Sequence, residues 1–179
     1  SINTKANIGP NNGEKLSNNQ KINIDHKKKN LTITNLNYVN SKIEYIRVLR
    51  SMHFDFFSEK SKNIFFNKEF KVTKLSDRMG MRLEGQVLEN VVNSNIKSEG
   101  LVKGVIQVPS DGNPIIMLSD HGTIGGYPKI ANVISADFDK LVQMIPGSAI
   151  KFKQVSLEEA EKLFKFYNLE TTNLINQIS

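Results

Sequence analysis

Three stretches of the chain combine glycine, charge and polar side chains in the manner of ligand sites. The longest runs Asp120-His121-Gly122-Thr123-Ile124-Gly125-Gly126-Tyr127-Pro128-Lys129. Adjacent glycines let bare backbone N–H groups approach a ligand, Thr123 adds a hydroxyl and Lys129 a positive charge, a set suited to holding a small anion. The second is Ser76-Asp77-Arg78-Met79-Gly80. Here Arg78 can clamp a carboxylate or phosphate with two parallel hydrogen bonds. With equal weight, the same residues form a turn in which Asp77 caps the backbone and Arg78 pairs with Glu84. The third, Gln107-Val108-Pro109-Ser110-Asp111-Gly112-Asn113-Pro114, reads first as a β-hairpin turn. Gln107 and Asp111 are its candidate site residues.

Much other chemistry is excluded. The 179 residues contain no Cys, which removes disulfide scaffolds, thiolate metal clusters and Cys nucleophiles together. The three histidines, His26, His53 and His121, stand far apart without an HExxH spacing, so no metal site is expected. Neither a GxxxxGK[ST] loop nor a G-x-S-x-G elbow occurs. The longest apolar runs, such as 114–118, fall far short of the ~20 residues of a membrane span, and no leader is visible at the N-terminus. A soluble, cytoplasmic protein without membrane contact is expected.

The net charge of +6 is lopsided, with 14 basic against 6 acidic residues in 1–75 and 10 against 12 in 76–179. A basic segment can bind nucleic acid through phosphates. However, 20 of the 24 basic residues are Lys, whereas base readout and phosphate clamping favour Arg forks and interleaved aromatics. The densest run, His26-Lys27-Lys28-Lys29, has no aromatic neighbour and reads as a solvated loop. No nucleic-acid partner is expected.

The elements that must position these residues are mostly short strands. Ser1 to Asn40 is rich in Asn, Ser, Lys and Gly, with pulses at Ile22/Ile24 and Leu31/Ile33 that alternate like edge strands in a loosely ordered lead-in. From Lys42 a period-two pattern predicts a strand, and Phe54, Phe56 and Phe57 predict one or two helical turns that anchor the core. Strand-like runs follow at 69–75, 81–84, 103–108, 115–118, 129–134 and 149–155, separated by Gly, Pro, Asp and Ser turns. That spacing predicts an antiparallel barrel or sandwich. Two helices interrupt it: one over Asp137–Met144, the other opened by the capping box Ser156-Leu157-Glu158-Glu159. Its apolar set Leu157, Ala160, Leu163, Phe164 and Tyr167 should lie on the barrel, with 170–179 as a fraying tail.

Read in order, Ser76-Asp77-Arg78-Met79-Gly80-Met81-Arg82-Leu83-Glu84-Gly85, Ser98-Glu99-Gly100, Gly104-Val105-Ile106-Gln107-Val108-Pro109 with Asp111-Gly112, Gly125-Gly126-Tyr127-Pro128-Lys129-Ile130-Ala131 and Val133-Ile134-Ser135-Ala136-Asp137 resemble the biotin-dependent carboxyltransferase family. That family includes one of the 5-oxoprolinase subunits, allophanate hydrolase subunit 2, the kinase-inhibitor antagonist of sporulating bacteria and the carboxyltransferase domain of urea carboxylase. The motifs are collinear over about 42–160. Gly13, Leu16 and Ile22 are spaced as in the family's G-x-x-L-x-x-G-x-x-L segment, so the chain resembles a C-terminal half.

The resemblance implies a mainly β fold with short helices, a cyclophilin-like β-barrel. It implies a lead-in over 1–40 that is a remnant of the preceding half, the family domain over 41–169 and a C-terminal tail over 170–179. It implies a hydrolase component that, with other 5-oxoprolinase-type subunits and an N-terminal half, opens the lactam of 5-oxoproline to glutamate. ATP enters at the level of the complex, nothing is bound covalently, and the chain alone is expected to be inactive. The family's site lies in a cleft between halves, of which this chain carries one wall. The implied binding residues for a small anionic substrate are Arg78, Lys129, Thr123, Gly125, Gly126, Tyr127, Gln107 and Asp111. Alternatives are a non-catalytic module that binds a kinase-inhibitor-like partner, and a urea- or allophanate-type carboxyltransferase. The surface left by an absent half is expected to favour homo-oligomers. Two departures stand out: Ser51-Met52 precedes His53 where members have Gly-Pro, and Gly122 replaces a Gln in the glycine loop.

Overall fold

The computed structural model describes residues 11, 14, 17–21, 44–92 and 95–178. The chain forms two compact units, Ser1–Asn35 and Leu36–Ser179. In the first, the described residues form local turns: the Glu14 N–H donates to Asn11 O, and the Gln20 side chain donates to Asn11 Oδ1 at 2.7 Å. The alternating pulses at Ile22/Ile24 and Leu31/Ile33 and the Gly13, Leu16, Ile22 spacing lie outside the described residues.

The second unit is mostly β. Its strands are β1 (Ile46–Arg50), β2 (Phe70–Val72), β3 (Gly80–Glu84), β4 (Glu99–Gly100), β5 (Val105–Gln107), β6 (Ile115–Met117), β7 (Ile124–Gly125), β8 (Lys129–Val133), β9 (Ala149–Ile150) and β10 (Phe152–Gln154). Eight of them form one sheet in the order β10-β1-β8-β5-β6-β3-β2-β9, and β4 pairs with β7 as a separate ribbon. The two outermost strands, β9 and β10, follow each other in the chain across Lys151, so the sheet is a nearly closed barrel. Every pairing is antiparallel except that of β1 with β10.

Alternation places one side chain of each pair in the core. Ile46, Val48, Phe70, Val72, Ile106, Ile116, Ile150 and Phe152 join one buried cluster, in which Phe65 and Phe152 stack at 4.5 Å between ring centroids. Each such side chain contributes about 1.5–3 kcal/mol by leaving water. Phe54 and Phe57 are buried as anticipated, the former in a 3-10 turn over Phe54–Phe56.

Three helices complete the unit. Helix α1 (Glu59–Asn67) extends well past the one or two turns expected around the phenylalanines. Ser58 caps it by accepting from the Ser61 N–H, and Ile64 and Phe65 are buried. The polar run Glu59 to Asn63 conceals this helix from a periodicity reading. Helix α2 (Ser135–Val142) begins two residues earlier than expected, and its Asp137 is buried against Arg47. Helix α3 (Leu157–Ile178) starts as the capping box foretells, with Ser156 Oγ accepting from the Glu159 N–H at 3.1 Å. It packs on α2 through the Tyr167 hydroxyl bonded to Asp139, and Ala160 lies in a small cluster with Ile134 and Ala136. The helix continues through 170–178, where the residue pattern suggests a fraying tail. Partly buried Glu170, Thr171 and Leu174 extend the face of Leu163 and Tyr167 by helical spacing. Among the described residues no helix is long and apolar enough to cross a membrane.

Candidate functional site

β5 and β8 position the centre of the site. Val105 pairs with Asn132 and Ile106 with Ala131, but Gln107 pairs with Lys129, so Ile130 is an extra residue on β8. Such a bulge resets the alternation of its strand. Ile130 and Ala131 both join the core cluster, while Gln107 and Lys129 stand opposite one another as a buried polar pair. Near them, Leu101, Val105 and Met117 form a small apolar cluster.

The β4–β7 ribbon brings an acid to Lys129. Glu99 pairs with Gly125 and Gly100 with Ile124. Lys129 Nζ donates to Glu99 Oε2 at 2.8 Å and to the Gly100 carbonyl at 3.1 Å. The Lys129 side chain is only 5% exposed, against 37% for Glu99. A buried ammonium is costly to desolvate without a partner, and Glu99 supplies one. In return the Lys129 hydrogen bond holds the Glu99 carboxyl below the usual glutamate range, against the opposing effect of desolvation, and the charge of Lys129 acts in the same direction as the hydrogen bond.

His53 is the fourth member. Its ring is buried, Nδ1 accepts from the Lys129 backbone N–H at 3.3 Å, and Nε2 lies 3.6 Å from Glu99 Oε1. Gln107 Nε2 donates to the Tyr127 carbonyl at 3.1 Å. The arrangement is a row of donors and acceptors, His53, Glu99, Lys129 and Gln107, in which Glu99 is the most exposed.

The glycines act by making room. A Cβ on Gly125 would stand 2.8 Å from Gln107 Nε2 and 2.9 Å from Leu101 Cδ1, and one on Gly126 would stand 3.0 Å from the Ile96 carbonyl. The loop is held as part of a ribbon: the Leu101 N–H donates to Thr123 O, and the Ile96 N–H to Gly126 O. It is therefore a strand pressed against Gln107 rather than an open cradle of amides.

Of the residues singled out from sequence, Lys129, Gln107, Gly125, Gly126 and Tyr127 come together, with Thr123 immediately before β7. Arg78 stands apart. Its Nε donates to Asp120 at 2.8 Å. Arg78 lines a cavity of about 450 Å³ whose apolar walls include Val72, Met81, Leu118 and Met144. Asp77 caps this turn, accepting from the N–H groups of Met79 and Gly80. Asp111 serves the β5–β6 hairpin turn, where its Oδ1 accepts from the Asn113 N–H and Gly112 adopts φ +75°. Glu99 and His53 are absent from the sequence-based set. The sequence signals for them are the Ser98-Glu99-Gly100 motif and the His that follows Ser51-Met52. Among the described residues no group of three His, Asp or Glu side chains is placed to hold a metal ion.

Comparison with known proteins adds a lineage to this geometry. A family model described as carboxyltransferase domain, subdomain A and B, matches residues 1–154. The chain is similar to a Haemophilus influenzae protein named as a 5-oxoprolinase subunit, 46% identical over 120 residues that make up 67% of this chain and 39% of that protein. Its Escherichia coli namesake is 42% identical over 117 residues, 65% of this chain and 38% of that protein. The chain thus spans about two fifths of the length of these curated relatives. Among solved structures, the urea amidolyase of K. lactis superposes with a TM-score of 0.69 at 28% identity, over 73% of this chain and 8% of that one.

Proposed function

The chain belongs to the family of carboxyltransferase domains, subdomains A and B, and from that premise we propose that it is a component of an ATP-dependent complex that hydrolyses 5-oxoproline to glutamate in the cytoplasm. The observation that carries this reading is the convergence of Lys129, Gln107, Gly125 and Tyr127 with Glu99 and His53 in one polar cluster. The greater likeness to proteins named as 5-oxoprolinase subunits than to those named urea amidolyase supports the lactam over urea.

In this reading the cluster is one wall of a site, completed by a half of comparable size and by further subunits. Lys129 and Arg78 supply positive charge toward a small anionic substrate. Thr123, Gly125, Gly126 and Tyr127 shape the loop, Gln107 presents its amide, and Asp111 fixes the neighbouring turn. An anion that approaches Lys129 also meets Glu99, which already accepts from the ammonium. In this reading ATP enters at the level of the complex.

A second reading, carboxyl transfer to a urea-like acceptor, draws on the superposition with urea amidolyase. It requires a biotinylated partner. A third, an interaction module for a kinase-inhibitor-like partner, requires no chemistry at Lys129.

The test is a native pull-down of the tagged chain from its own cell extract, with partners identified by mass and the eluate assayed for 5-oxoproline-dependent ATP hydrolysis. Recovery of companion subunits with that activity, lost in Lys129→Met, is the expected result. A biotinylated partner with urea-dependent hydrolysis favours the second reading. A stable complex with neither activity, indifferent to Lys129→Met, favours the third.

A further inference from the structure

We infer that Glu99 is the specificity-determining residue of this site: it accepts the substrate's amide N–H while Lys129 donates to the adjoining carbonyl. The inference rests on the lactam reading and specifies which edge of the substrate the cluster takes.

Three observations carry it. The first is charge balance. Lys129 and Glu99 neutralise one another at 2.8 Å, and Glu99 is the more exposed of the two, so an entering carboxylate meets a carboxylate. That repulsion disfavours an anion at this point and leaves a neutral polar group as the better ligand.

The second is the inventory of donors and acceptors. An ammonium has three N–H donors and an ionised carboxylate about four lone-pair sites. Among the described residues Lys129 Nζ gives two of its donors, to Glu99 Oε2 and Gly100 O. Glu99 accepts from Lys129, and His53 Nε2 faces its other oxygen at 3.6 Å, longer than a hydrogen bond. A donor and an acceptor therefore stand side by side with capacity to spare.

The third is complementarity. In a lactam the peptide bond is cis, so N–H and C=O lie on one edge of the ring. An edge of that kind matches an adjacent acceptor and donor, whereas a carboxylate offers acceptors alone. Gln107 lies opposite Lys129 in the sheet and accompanies this pair with its own amide. A site built to accept an N–H discriminates against an analogue that lacks it, because its own acceptor is left unpaired.

The experiment titrates the 179-residue chain with 2-pyrrolidinone and with N-methyl-2-pyrrolidinone, which share ring and carbonyl and differ in the N–H, with acetate as a third probe. Binding is followed through the backbone amide resonances of Leu101, Gly125 and Tyr127. The expected result is an affinity for 2-pyrrolidinone about ten- to a hundredfold above that of the N-methyl compound, the span of a hydrogen bond to a charged group. That ratio should shrink in E99Q and approach one in the double variant E99L/K129L. The double variant removes both charges together and leaves neither buried alone.

Equal affinity of the wild-type chain for the two lactams overturns the inference, as does absence of saturable binding to either, or acetate binding more tightly than 2-pyrrolidinone. A ratio unchanged in E99Q while both affinities fall assigns Glu99 a purely structural role and also overturns it. The outcomes separate from those of the functional reading. If the lactam preference and its loss in E99Q are present but the purified complex has no 5-oxoproline-dependent ATP hydrolysis, the assignment of the reaction falls and the recognition stands.

Discussion

The backbone N–H of Lys129 donates to Nδ1 of His53 at 3.3 Å, across 76 positions of sequence. An imidazole nitrogen that accepts a hydrogen bond carries no proton, so the neutral ring must be protonated at Nε2, the nitrogen that faces Glu99. Nitrogen-15 spectra of the imidazole should show the Nε2–H pattern for His53. The Nδ1–H pattern would mean that the contact with the Lys129 amide is absent in solution.

Glu99 gives the site a definite response to acid. Its folded-state pKa is lowered, chiefly by the hydrogen bond from Lys129. A carboxyl of this kind contributes stability that is complete above the unfolded value and is lost as pH falls through the lower folded value. The difference in melting temperature between the wild-type chain and Glu99→Gln should therefore be constant from neutral pH to about 5 and narrow below the unfolded glutamate value of 4.5. A difference that widens on acidification would contradict the sign of the shift.

Gly100 and Gly125 sit on adjacent strands of the ribbon, yet their tolerance should differ. A Cβ at Gly100 meets nothing within 4 Å, whereas one at Gly125 collides with the Gln107 amide and Leu101. Gly125→Ala should destabilise by about 1–3 kcal/mol, the cost of overpacking, and raise amide exchange across 99–101. Gly100→Ala should lie within about 0.5 kcal/mol of wild type. Denaturant unfolding of the two variants is the comparison to make.

Arg47 and Asp137 tie β1 to α2. Asp137 Oδ2 accepts from both the backbone N–H and Nε of Arg47 at 2.8 Å, and Asp137 is 1% exposed. Asp137→Ala leaves the backbone N–H and the partly exposed guanidinium of Arg47 without their shared acceptor, so it should cost about 2–3 kcal/mol by denaturant midpoint. A loss below about 1 kcal/mol would place the pair among ordinary surface bridges.

In the reconstituted complex, Lys129→Met should suppress turnover far more than Arg78→Ala. Lys129 holds the Glu99–His53 row together, while Arg78 is engaged by Asp120 beside a separate cavity. Unchanged turnover in Arg78→Ala would remove Arg78 from the substrate contacts altogether.

The barrel was legible from local chemistry. Turn residues such as Asp111-Gly112 mark the hairpins, and Ser156 with Glu159 marks the start of α3, because these signals lie within a few residues of the structure they cause. The Lys129 neighbourhood was legible only in part. Lys129, Gln107 and Gly125 carry recognisable side chains or backbones, but Glu99 and His53 reach them from 30 and 76 positions away, and no local periodicity encodes that meeting. The bulge at Ile130 is hidden for the same reason. A strict alternation from Lys129 would turn Ala131 away from the core, and only the pairing partner on β5 shows that it does not.

The run from Ala149 to Gln154 forms both margins of the eight-stranded sheet, joined to β2 on one side and to β1 on the other. This short run thus works as a clasp whose strength is covalent. A single proteolytic cut at Lys151 would uncouple β9 from β10, so that the two margins, already the unpaired edges of the sheet, would be free to part.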